Sequence, residues 1–148
     1  MKKQLFLSFF LAANSVFPVH ASDPVQSGKE NQMTFQMTID QQTFEVGLAN
    51  NPTAKAFIKQ LPLTMTMAEL NGNEKFADFS HTLPTSQITP GTIHEGEIML
   101  YGRQTLVIFY ETFQTPYSYT PIGKIITTDN LKNIIGNSDI EVHFTKSN

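Results

Sequence analysis

The 148-residue chain carries 10 basic and 13 acidic side chains, a formal net charge of −3, 12 phenylalanines, 4 tyrosines, and neither cysteine nor tryptophan. Basic residues scattered singly leave no electrostatic footprint for nucleic acid, and without cysteine neither a disulfide nor a cysteine-linked lipid anchor can form. The length and apolar content suit one domain with its own packed core and exclude a disordered chain.

The first residues differ from the rest. Lys2 and Lys3 precede an apolar run over 5–13, and Val19-His20-Ala21 places small or aliphatic residues where a signal peptidase reads. This pattern predicts a signal peptide over 1–21, cleaved after Ala21, on a run too short to span a bilayer. Cleavage removes two lysines and no acids, so −3 becomes −5. The expectation is a periplasmic or secreted protein with no membrane anchor. Residues 22–32, SDPVQSGKENQ, are polar and aperiodic and read as a flexible arm. The domain is then 33–146.

Within it, Met33, Phe35, Met37 and Ile39 alternate with polar residues, and after Asp40-Gln41-Gln42 the alternation resumes at Phe44, Val46 and Leu48, which predicts a hairpin. Asn51 can cap and Pro52 suits the first position of a short helix carrying Ala54, Phe57, Ile58 and Leu61 on one face until Pro62. Leu63, Met65 and Met67 alternate up to the Asn71-Gly72 turn, and 76–79 reads as a further short strand. Residues 80–96 read as a long loop, of the sort that often carries binding. Strands 97–101 and 105–110 flank Gly102-Arg103-Gln104 as a hairpin, and a loop over 111–121 leads to a strand at 122–127. Asp129 can cap a second short helix with Leu131, Ile134 and Ile135 inward and Gly136 at its end, before a last strand of Ile140, Val142 and Phe144. The fold class is mainly β: a closed barrel with two short capping helices.

The runs NPTAKAF, LPLTM, LNGNEK, PGTI, MLYG and YSYTPIGKI, in that order and spacing, resemble bacterial cyclophilin-like proteins of unassigned activity. The resemblance implies a cyclophilin-like barrel in which Gly123 enters a strand where another backbone comes close. It also implies a comparison of catalytic residues. Cyclophilins aim an arginine of a Phe-His-Arg-type motif at the twisted prolyl amide. The single arginine here, Arg103, lies in a Tyr-Gly-Arg-Gln turn without that context.

Other constellations carry little chemistry. His81 and His94, with Asp78, Glu95 and Glu97, are spread over an irregular segment rather than at ligand spacing, so no metal or cofactor is expected. Ser80 and His81, adjacent on an extended chain, would point apart. The strand methionines read as adaptable core. What stands out is aromatic: Phe109, Tyr110, Phe113, Tyr117 and Tyr119 within eleven residues. These five and Arg103 are the ligand-binding candidates, for a small molecule or an extended peptide. Filling of the barrel mouth by tyrosine rings is the competing structural reading. The alternatives in function are a degenerate prolyl isomerase of the cell envelope, with Arg103 or a tyrosine hydroxyl replacing the missing arginine, and a module pairing a partner strand at a barrel edge.

Overall fold

In the chain from Thr34 onward, apolar residues at alternate positions fold as strands. The structure, a computed structural model, describes residues 31–148; the signal segment, Ala21 and residues 22–30 of the arm lie outside the described residues. The elements in chain order are β1 (Thr34–Ile39), β2 (Gln42–Leu48), α1 (Pro52–Ile58), β3 (Leu63–Leu70), β4 (Glu74–Asp78), β5 (Thr92–Ile93), β6 (Glu97–Tyr101), β7 (Thr105–Phe109), β8 (Phe113–Gln114), β9 (Tyr119–Ile125), α2 (Leu131–Ile135) and β10 (Ile140–Lys146). Eight strands close an antiparallel barrel in the order β1-β10-β3-β4-β7-β6-β9-β2, and β2 pairs back with β1. The strands therefore close on themselves, although β3 pairs with β4 only over Ala68, Glu69 and Leu70.

Phe35, Met37, Ile39, Val46, Met67, Ile98, Leu100, Leu106, Ile108, Val142 and Phe144 fill the interior. Helix α1 starts where the sequence places it: Asn51 accepts a bond from the Ala54 amide at 2.8 Å, and Pro52 occupies the first turn, where its missing N–H costs nothing. Its Phe57 drops edge-on between Phe35 and Phe144, with ring centroids 5.2 and 5.5 Å away. Thr34 pairs with Gly47 near α1, and Thr38 with His143 near the start of β10. Helix α2, just ahead of β10, thus caps the end opposite α1.

Three details depart from the sequence reading. Asp129 does not cap α2. Asn130 stands there in the left-handed region, φ 61°, without a side-chain cap bond, and its Oδ1 instead accepts from Asn133. Strand β9 begins at Tyr119 rather than Ile122, because the β6–β9 register shifts at Ile98/Met99 so that Met99 faces Pro121 and Ile98 faces Gly123. Such an irregularity accommodates a proline inside a ladder. Strand β4 begins two residues early, at Glu74, pairing Leu70 with Glu74 across the Asn71-Gly72 turn.

The two long loops are also stitched together. β5 pairs with β8, the Thr115 amide donates to the Gly91 carbonyl, and Ile88 exchanges backbone bonds with Tyr119. The loops thereby form a flap on the outside of the barrel.

Candidate functional site

Alternation along β4, β7 and β6 sends one set of side chains into the barrel and the other outward. Ile98, Leu100, Leu106 and Ile108 go in; Met99, Val107 and Phe109, with Tyr119 of β9 and Ile93 of the flap, form a second apolar cluster outside, against which Phe76 and Phe113 pack. Phe109 meets Phe113 at 5.6 Å and Tyr119 at 5.4 Å between ring centroids, the latter edge-on.

A groove of about 560 Å³ opens over this outer cluster. Phe76, Val107 and Tyr119 come to its surface from the barrel strands, Phe113 to Tyr117 from the flap, and Leu70, Asn71, Asn73 and Glu74 from the β3–β4 turn. Tyr101, Thr105 and Asp78 complete it, and among the described residues no lysine or arginine lines it. Tyr101 stands 6.3 Å from Tyr117 and 5.7 Å from Tyr119 between centroids, so three tyrosines face the same space at steep angles.

The YSYTPIGKII segment divides by this geometry. Tyr119 is 5% exposed and Tyr117 58%. Tyr119 is part of the packing and Tyr117 is held at the groove by a backbone bond to Thr115 Oγ1. Burial raises the Tyr119 phenol above its usual range; the Thr115 hydroxyl works against this, and the Glu74 carboxylate adds to it.

Of the six residues singled out from the sequence, Phe113, Tyr117 and Tyr119 line the groove. Phe109 is fully buried beneath it. Tyr110, one residue on, turns to the other side of the sheet and gives its hydroxyl to Glu69 at 2.6 Å. Arg103 is exposed on the β6–β7 turn and does not line the groove. Sequence reasoning missed Glu74, Phe76, Asp78 and Tyr101. The first three form a period-2 set that starting the strand at Phe76 concealed. Ser80 Oγ lies 3.3 Å from His81 Nδ1 because the chain bends there instead of running extended, but both residues are exposed.

Charge next to the groove is unevenly balanced. Lys75, fully buried, points inward and is held by Glu69 Oε2 at 2.5 Å and the Ser138 carbonyl at 2.6 Å, with its Nζ 5.2 Å from the Tyr110 ring centre. Burial works to raise the Glu69 carboxyl. Hydrogen bonds from Lys75 and Tyr110, the Lys75 charge and the Gly72 amide outweigh burial, so its pKa lies below its ordinary value. Glu74 shows the reverse: burial, then the Glu69 charge, raise it. Among the described residues no hydrogen bond or ion pair engages the Glu74 carboxylate.

The model of the cyclophilin-like family matches residues 37–145, most of the chain. The chain belongs to the cyclophilin-like family. Its fold is shared with the solution structure of the hypothetical protein AF2241 from Archaeoglobus fulgidus, which is 14% identical with a TM-score of 0.56, the match covering 78% of this chain and 95% of that one. At that identity the likeness shows the fold alone. No curated protein sequence gives a significant match. The lumen of the barrel is filled with side chains, and the groove lies outside its strands.

Proposed function

We propose that this cyclophilin-like domain is exported and binds a small molecule or an extended peptide in the outer groove, without evident catalysis. The observation that carries the reading is a largely exposed Tyr117 that meets Tyr101 beside a groove lined by Tyr119, Phe76 and Val107. An exposed ring poised over apolar surface gains by covering a ligand, whereas a ring serving only the fold would be buried. The isomerase alternative loses its Arg103 form, since Arg103 lies out on its turn and no other arginine exists, and its tyrosine-hydroxyl form would draw on the same groove tyrosines.

The test is a thermal-shift screen of fragments and short peptides, repeated on Tyr117→Ala. This variant is expected to change stability by no more than about 0.5 kcal/mol, as for a surface substitution. It should lose the shifts the parent protein gives. Hits that survive in Tyr117→Ala, or the absence of hits in the parent, would count against the groove.

Export rests on the tripartite pattern of residues 1–21. Mass spectrometry of protein recovered from the periplasm or medium should find an N-terminus at Ser22. A retained Met1 would refute cleavage.

A further inference from the structure

The groove joins aromatic walls to carboxylates that lack a counter-ion. Glu74 and Asp78 both line it, and among the described residues the cation next to them on the strand, Lys75, is buried and already held by Glu69. The Glu74 carboxylate is partly buried and has no hydrogen-bond or ion-pair partner among the described residues. A carboxylate partly stripped of water without a counter-ion is costly. Glu74 sits at one end of the groove and would be satisfied by an N–H donor bearing positive charge. At the other end Asp78 accepts only from the Thr105 hydroxyl, at 2.6 Å.

Glu74 and Asp78 are four residues apart on one strand and share a face, so their Cα atoms are about 13 Å apart, with Phe76 between them. The cross-strand pairs Asp78↔Thr105, Thr105↔Tyr101 and Tyr101↔Tyr119 carry the second carboxylate to the tyrosine cluster. Aromatic faces attract cations, and methylene chains pack on aromatic and aliphatic surface.

We propose that the groove takes an elongated organic dication, a linear diamine or polyamine with one primary ammonium at Glu74 and another near Asp78, its methylenes crossing Phe76 beneath the tyrosines. This deepens the groove reading and rests on it. Primary rather than quaternary ammonium follows from the unpaired Glu74 carboxylate, which a primary ammonium can engage with N–H donors.

The experiment titrates cadaverine, spermidine, pentylamine, 1,5-pentanediol, glutarate and benzyl alcohol into the full chain, with calorimetry and amide chemical shifts as readouts. Cadaverine and spermidine are expected to bind and to move groove resonances, and pentylamine to bind roughly tenfold more weakly for want of its second charge. The diol and glutarate should not bind. Glu74→Gln and Asp78→Asn should each bring diamine affinity down to that of pentylamine, and thermal unfolding checks that both variants are folded. Diamine binding should also weaken with added salt.

Pentylamine binding as tightly as cadaverine would overturn the two-point arrangement. Groove shifts from benzyl alcohol, the diol or glutarate but not from the diamines would overturn the cation and leave the groove reading standing. Silence from every probe would overturn both. Diamine binding untouched in both carboxamide variants would place the site elsewhere and overturn the proposal.

Discussion

Glu69→Ala is expected to cost about 3–5 kcal/mol of stability, because it leaves a buried ammonium without its counter-ion. Lys75 is fully buried, with Glu69 Oε2 2.5 Å away and, among the described residues, the Ser138 carbonyl and the Tyr110 ring as the other neighbours of its charge. Tyr110, 3% exposed, loses its acceptor in the same substitution. Urea denaturation of parent and variant measures the loss, and a loss below about 1 kcal/mol would show that the pair contributes no more than an exposed salt bridge. The double variant Glu69→Leu, Lys75→Met should recover much of it, since replacing both members with apolar groups removes the desolvation cost together with the attraction. The loss also depends on pH. In the folded chain Glu69 titrates below its ordinary 4.5, so its contribution is complete above that value and falls away as pH drops through the depressed folded value. Parent and variant should therefore converge in acid.

Gly123→Val is expected to destabilise by about 3 kcal/mol through overpacking against backbone that cannot move aside. A Cβ at Gly123 would lie 2.7 Å from the Gly47 carbonyl oxygen, 3.0 Å from Val46 Cγ1 and 3.3 Å from Phe35 Cε1. The nearest of these belongs to the β2–β9 ladder, where Leu48 faces Gly123 and Gly47 faces Lys124. Opening that ladder would break the barrel's closure between β2 and β9. Thermal and denaturant unfolding provide the measurement, and a melting temperature unchanged in Gly123→Val would show that the strands can separate locally. Tyr117→Ala differs in kind, since its effect is expected on the proposed binding and not on the fold.

The barrel was largely legible because its signals are local. Phe35, Met37 and Ile39 alternate, Asn51-Pro52 announces α1, and Gly123 in a strand signals close backbone approach, which the Gly47 carbonyl supplies. The site was half legible. Tyr117 and Tyr119 stand two apart in sequence, so alternation alone would give them one environment, yet one is exposed and the other packed on Phe109. That difference comes from the flap, whose strands β5 and β8 are two residues each, too short for any periodic pattern. The shift at Pro121 likewise depends on the facing strand. Nothing local in the sequence marks Lys75 as buried, and Glu69, Tyr110 and Ser138 converge on it from three other parts of the chain.

The outward and inward faces of β4, β7 and β6 belong to different apolar clusters. One consequence concerns how such a protein can diverge. If the proposed binding holds, exchanging Glu74, Asp78, Tyr101 or Tyr117 would alter what the groove accepts without touching a side chain of the barrel interior, because each sits on the outward register or on the flap. Selection on ligand preference and selection on folding would then act on different residues of the same strands. A lineage could change its ligand while its barrel sequence stays recognisable, and a family defined by barrel motifs would not need to share a ligand.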